Sequence, residues 1–205
     1  MKKILVSALL LFGLELTLSA KNVDASMLIK KDGVSYVKAQ KSVFTGNAYS
    51  FFSDGSTKKI VPYYQGKIDG RLVEWRSTGG IKTIAYFRKG KQDGEYIAKF
   101  ANGKRSVVAY FRNGLQDGEV MTWYDNGRKK SSSYFRLNQQ TGESLTWHSN
   151  GQKESVVQYI NDKKDGIYKQ WHKNGKPAIR AIYLNGKIVG EVQSWNTDGT
   201  VIEKK

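Results

Sequence analysis

Past residue 26, hydrophobic and polar residues fall into short runs of strand composition separated by turn residues, and no segment keeps a helical period. The stretch Gly118 to Thr141 (G-EVMTWYD-NG-RKKSSSYF-RLNQQT) shows the unit. Two strand-like runs flank Asn126-Gly127, the strongest short-range hairpin signal because both residues tolerate positive φ. The equivalent dipeptides are Asp54-Gly55, Thr78-Gly79, Asn102-Gly103, Asn150-Gly151, Asn174-Gly175 and Asp198-Gly199. A second turn leads into the next unit. Its slot holds Gly66, Gly90, Gly114, Asn138, Asp162 and Gly186, all residue types that accept a left-handed backbone.

Glycine marks the period. Gly46, Gly70, Gly94, Gly118, Gly142, Gly166 and Gly190 recur every 24 residues, and so do the seven turn glycines from Gly55 to Gly199. A strict period of this length predicts stacked copies of one supersecondary unit. The predicted fold is all-β: an elongated antiparallel meander of seven 24-residue β-hairpin repeats following an N-terminal signal helix. The expected divisions are a signal peptide over 1–20, a cap over 21–45 and the repeat domain over 46–205. Val34 to Phe44 reads as an irregular part of the cap.

Aromatic residues keep the same period. Trp75, Trp123, Trp147, Trp171 and Trp195 sit five places after the first-comb glycine, with Phe51 and Lys99 in the other two copies. Phe100, one place late, suggests a local bulge in the third copy. A second column runs Tyr63, Phe87, Phe111, Phe135, Tyr159 and Tyr183. A two-residue loop at Asn126-Gly127 sets Gly118 opposite Phe135, so that a ring covers glycine backbone that would otherwise be hydrated. The same register places Lys130 across from Trp123 and Lys82 across from Trp75, within reach of cation–π contact. These columns read as the hydrophobic face of the sheet, or alternatively as a ligand platform.

The first twenty residues differ from the rest. Lys2-Lys3, the apolar run Ile4 to Leu14 and the small residue Ala20 have the layout of a secretory signal peptide, with an uncleaved anchor or a buried helix as the competing readings. Export to the periplasm, cell surface or medium is the expectation. No cysteine is present, which removes disulfides and thiolate metal sites. The formal charge of +16 favours anionic partners such as lipid headgroups, acidic glycans or an acidic protein, and it also serves solubility. The charge is uneven. Gly166 to Val189 carries Lys169, Lys173, Lys176, Arg180 and Lys187 with no acid. Gly70 to Asp93 carries Arg71, Arg76, Lys82, Arg88, Lys89 and Lys91 against Glu74 and Asp93. From these two repeats, Lys169, Lys173, Lys176, Arg180, Lys187, Arg71, Arg76, Arg88 and Lys89 are the candidate anionic contact surface, against the alternative of an ordinary solvated face.

Catalytic patterns do not emerge. His148 and His172 share one slot in adjacent copies, with backbones expected about 10 Å apart, too far to converge easily on a metal. Glu95, Glu119, Glu143 and Glu191 form a column of equivalent carboxylates without the paired, unlike environments that glycoside hydrolysis requires. A non-enzyme without cofactor or metal is the expectation.

Copies such as Gly94-EYIAKFANGKRSVVAYFRNGLQD and Gly118-EVMTWYDNGRKKSSSYF resemble the bacterial variant of the MORN repeat, over roughly residues 33–203. Exported arrays of this kind look like the YwqK-family antitoxin group, and that resemblance implies a protein that binds another protein. The reading from residues is a non-catalytic exported MORN-like scaffold for a protein partner or an anionic envelope surface. The alternative is an antitoxin-like neutraliser of one protein toxin.

Overall fold

A computed structural model describes residues 21–202, which are strand and turn almost throughout. The hairpins close through two turns of different construction. Strands Gly118–Trp123 and Lys129–Arg136 pair from Gly118↔Phe135 to Thr122↔Ser131, then slip so that Trp123 faces Lys129. Lys130 is the extra residue of a β-bulge. The loop that follows has three residues: the Tyr124 N–H donates to the Arg128 carbonyl (2.9 Å) and the Gly127 N–H to the Tyr124 carbonyl (2.9 Å). Within it only Gly127 is left-handed, at φ 92°. Such a loop ends its type I turn on a left-handed glycine. The expected two-residue loop is therefore corrected.

The expected register survives because the bulged residue offsets the extra loop residue. Gly46↔Tyr63, Gly70↔Phe87, Gly94↔Phe111, Gly118↔Phe135, Gly142↔Tyr159 and Gly166↔Tyr183 all pair as the comb implies. The slip recurs just before the tryptophan slot in each of these hairpins, so it is not confined to Lys99. It also breaks the expected lysine–tryptophan oppositions: Trp75 faces Ile81, and Lys82 bonds Glu74 instead (3.0 Å). The two-residue turns with both residues left-handed lie at the other end, for example Asn113 (52°) and Gly114 (87°), or Leu137 (51°) and Asn138 (70°).

Because this second turn is as tight as the first, each hairpin pairs with the next one, as Lys129–Arg136 does with Gln139–Trp147. The expected antiparallel meander of seven 24-residue hairpin repeats is corrected on three counts. The array is one continuous 17-stranded sheet. It is mixed, since Lys21–Asp24 runs parallel to Gly46–Phe51. The seventh copy is no hairpin: Lys187–Ser194 pairs back onto Pro177–Leu184, and Trp195 meets Val201 in a single bridge. The expected signal helix falls on residues 1–20, outside the described residues. Among the described residues the one helical element is the three-residue 3-10 turn Ala25–Met27, and no helix is long and apolar enough to cross a membrane. The signal-peptide, secreted and toxin–antitoxin readings have no counterpart there.

The cap is more ordered than its composition implies. Leu28–Lys31, Val34–Val37 and Ser42–Val43 form a separate three-stranded sheet. Val37, Phe44 and Ala48 make a buried cluster against which Val23, Ala25, Leu28 and Tyr63 pack. Phe44 also keeps the period of the array. Its carbonyl accepts the Gly66 N–H (2.7 Å), as the Ile68 carbonyl accepts that of Gly90 and the Gln92 carbonyl that of Gly114. Thr45 Oγ1 accepts the Gln65 N–H (3.0 Å), as Asp69 accepts that of Lys89 and Asp93 that of Asn113. The cap thus supplies to the first turn what each repeat supplies to its successor. Along the array the deeply buried side chains are small or branched, among them Leu72, Ile84, Ala85, Val108, Ala109, Val157 and Ala181. The five tryptophans are half-buried.

Candidate functional site at the basic end of the sheet

From Asn102 to Asn174, side chains stitch the three-residue turns to the same turn one copy later. The asparagine Oδ1 accepts the N–H two residues on, and its Nδ2 donates to a carbonyl of the following copy. Asn102 reaches Asp125 (2.8 Å), Asn126 reaches Ser149 (3.0 Å), Asn150 reaches Lys173 (2.7 Å) and Asn174 reaches Thr197 (2.7 Å). In the slot after tryptophan, Tyr124 Oη donates to the Trp147 carbonyl (2.8 Å), and the Nε2 atoms of His148 and His172 bond the Trp171 and Trp195 carbonyls (2.8 Å each). A carbonyl only accepts, so Nε2 carries the proton in both histidines. This stitch accounts for the histidine column without a metal. Cation–π contacts also run to the following copy, with Lys129 Nζ 5.9 Å from the Trp147 ring centroid and Lys153 Nζ 5.9 Å from that of Trp171. Asn150→Asp keeps the contact to Gln152 and loses the donor to Lys173. The variant should therefore be less stable by about 1 kcal/mol, the usual net value of one hydrogen bond. Denaturant unfolding at high salt, where the new charge is screened, measures it.

At the C-terminal end the stitched turns open into two adjoining grooves. One, of about 670 Å³, is lined by His148, Trp171, His172, Ile179, Trp195 and Ile202, with Lys173 on its wall. The other, of about 310 Å³, is shared by Lys169, Arg180, Trp171 and Trp195. Lys169 and Arg180 are register partners across the hairpin, which brings two of the expected basic residues to one spot. Lys176 is engaged elsewhere, donating through Nζ to the Asp198 carbonyl (2.6 Å). Lys187 opens the last strand and is exposed. Nearby, Lys164 Nζ lies 4.8 Å from the Tyr168 ring centroid and 5.0 Å from that of Tyr183. Burial, with the neighbouring Tyr183 adding to it, pushes the Tyr168 phenol up from its ordinary range.

The basic residues of the second repeat are not brought to this end. Arg71 is exposed and faces Tyr86 in the register. Arg76 turns to the next copy, where Nη2 donates to the Lys99 carbonyl, so it belongs to the stitching. Arg88 and Lys89 line a separate groove of about 460 Å³ with Tyr64 and Asp69. Sequence reasoning missed Ile202 and Lys164. The only available signal was that Val201-Ile202 continues the slots of Pro177-Ala178. Among the described residues no cluster of three or more metal-ligating side chains occurs.

This geometry defines a class: a strand-repeat array bound copy to copy, with an apolar, base-rimmed recess at one end. A family described as the MORN repeat variant matches residues 140–161 and 164–185, the two units that lead into that end. No curated protein matches the chain. The similarity is to a repeat unit, and the antitoxin-group resemblance gains nothing from it.

Proposed function

We propose that the protein is a non-catalytic scaffold that holds an anionic partner at the C-terminal end of its sheet. One observation carries this reading. The segment Gly166 to Val189, with five bases and no acid, is the same segment that walls the two grooves, and Lys169, Lys173 and Arg180 line them beside Trp171 and Trp195. Aromatic surface beside cationic side chains suits a partner that offers carboxylates or phosphates next to apolar groups. The repeats behind the site supply rigidity rather than chemistry, since the turns from Asn102 to Asn174 are each hydrogen-bonded to the next.

The test reverses Lys169, Lys173 and Lys187 to glutamate together, and compares this variant with an equal reversal of Lys30, Lys31 and Lys38 on the cap. All six side chains belong to exposed residues. Pull-down from the native host should lose its partner with the first variant and keep it with the second. Thermal stability should barely move in either, because exposed charges contribute only about 0–1 kcal/mol each. Equal loss with both variants would reduce the effect to net charge and overturn the assignment.

A further inference from the structure

The row of three-residue turns and the row of two-residue turns bound the array on opposite sides, and they differ in charge. In the third to fifth copies the first row carries Lys104, Arg105, Arg128, Lys129, Lys130 and Lys153 against Asp125 and Glu154. All six bases are exposed, and Glu154 is drawn to His148 Nδ1 (3.8 Å). The two-residue turns of the same copies (residues 112–117, 136–141 and 160–165) carry four bases against three acids. On the first row most of the cations are held in place. Lys104 Nζ donates to the Asn126 carbonyl (2.8 Å) and Arg128 Nη1 to the Ser149 carbonyl (3.3 Å). Their stems lie over the turn glycine of the following copy. A Cβ on Gly127 would fall 3.1 Å from Lys104 Cδ, and one on Gly151 3.4 Å from Arg128 Cδ. Lys129 and Lys153 make a second file, each fixed over the tryptophan of the following copy.

We propose that this row of turns is a track for a linear acidic glycan, a β-1,4-linked polyuronate with one carboxylate on each sugar. Within each file the cations repeat once per copy, about every 10 Å, because a copy adds two strands to the sheet. In an extended β-1,4-linked chain successive carboxylates point to opposite sides, so each side repeats once per disaccharide, and that length matches one copy. A chain lying between the files gives alternate carboxylates to Lys104 and Arg128 on one side and to Lys129 and Lys153 on the other. The Lys104 ammonium spends one of its three N–H groups on the Asn126 carbonyl, which leaves two for a carboxylate. Because the cations are already fixed, a stiff polyanion loses little further side-chain freedom on binding them.

Other polyanions fit less well. Single-stranded nucleic acid needs aromatic faces on which bases stack, and the rings here already have partners. Lys129 lies over Trp147, Lys153 over Trp171 and Lys130 over Tyr124. A bilayer takes apolar side chains into its interface, and the turn tips Ala101-Asn102, Asp125-Asn126 and Ser149-Asn150 offer no large one. The track lies in the interior copies, apart from the C-terminal recess, and goes beyond the function proposed for that recess.

The probes are end-labelled β-1,4-linked oligomannuronates of two, four, six and eight sugars, titrated with the full protein and followed by anisotropy. Physiological ionic strength confines the effect of each charge to about 8 Å. From Lys104 to Lys153 the track covers about 20 Å, or about four sugars. Affinity should therefore rise about tenfold from two sugars to six and then level off, as linked contacts do once the site is spanned. The test variant changes Lys104, Arg105, Arg128 and Lys129 to glutamine, the residue that Gln152 already places in the Lys104 slot. The control changes Arg88, Lys89, Lys91 and Arg136 to glutamine on the row of two-residue turns, where Gln65 and Gln139 already fill the Lys89 and Lys91 slots. The first variant should bind the hexamer about tenfold more weakly and the second within about twofold of the wild type, since screening hides distant charges. Circular dichroism and thermal unfolding establish that both are folded. Equal weakening by the two variants, or affinity independent of length, would reduce the effect to net charge and overturn the track. Absence of hexamer binding would overturn it outright. Hexathymidylate or hexaglutamate bound as tightly as the hexamer would overturn the glycan assignment. Hexamer binding lost with the Lys169, Lys173 and Lys187 reversal alone would move the glycan to the recess and sink the track.

Discussion

Phe44→Ala should lower the unfolding free energy by about 3–5 kcal/mol, the usual cost of removing a fully buried aromatic ring. Phe44 is 1% exposed, sits 5.5 Å from the Tyr63 ring centroid and joins Val37 and Ala48 in a compact cluster. Elsewhere the sheet spreads its burial over small side chains, so no other described aromatic is enclosed to this degree. The loss should be local in origin. Hydrogen exchange is expected to rise first in Leu28–Lys31 and Val34–Val37, with the interior repeats protected until global unfolding. Phe51→Ala is the control, because that ring is 46% exposed and should cost well under half as much. Equal effects at the two positions in denaturant unfolding would refute the cap as the anchored end of the sheet.

The second large effect is expected at Gly66→Ala. Gly66 has φ 72°, and a Cβ there would fall 2.3 Å from Val34 Cγ1 and 2.9 Å from the Ser35 carbonyl oxygen. Those atoms belong to the cap strand that donates the Ser35 N–H to the Gly66 carbonyl (2.8 Å), so the methyl group must push the cap off its seat. Left-handed backbone alone costs alanine roughly 1–2 kcal/mol, and displacement of Val34 adds a steric cost of about 1–3 kcal/mol. Gly114→Asn makes the comparison. At Gly114 the nearest atom to a Cβ is Lys91 Cβ at 3.7 Å, and Asn138 already fills the equivalent slot one copy on. It should change stability by less than about 1 kcal/mol. If thermal denaturation found the two substitutions alike, the left-handed backbone rather than the cap seat would be the whole effect.

How far the sequence can be read depends on where each partner lies. The opposition of Gly118 and Phe135 was legible because both ends of that pairing carry the period. The loop between them was misread in detail. Asparagine before glycine signals two left-handed residues, but Asn126 spends its side chain on Arg128 and Ser149 and keeps an ordinary backbone. The lysine–tryptophan contacts were expected across a hairpin, and the bulge at Lys130 moves them to the following copy. His148 and His172 were set aside as metal ligands on spacing alone, but their role was not legible because their partners are main-chain carbonyls, which no residue pattern displays. Of the basic candidates, Lys169 and Arg180 were placed together by hairpin register, whereas the inward turn of Arg76 depends on a neighbouring copy. The recess itself closes on Trp195 and Ile202, where the repeat pattern ends and offers least guidance.

The asparagine stitch points one way along the chain. Asn102, Asn126, Asn150 and Asn174 each give a proton forward, whereas Asp54 and Asp198 hold their own turns through Ser56 and Thr200 and give none. Those hydrogen bonds, led by the Ser56 and Thr200 hydroxyls, keep both carboxyls below the ordinary aspartate range. From Asn102 to Asn174 the joints are of one kind, so a tandem duplication of 24 residues landing in phase there would find its donors and acceptors already in place. Reach is then a quantity that can drift by whole copies across generations, while the cap and the base-rimmed recess stay as they are and simply move apart.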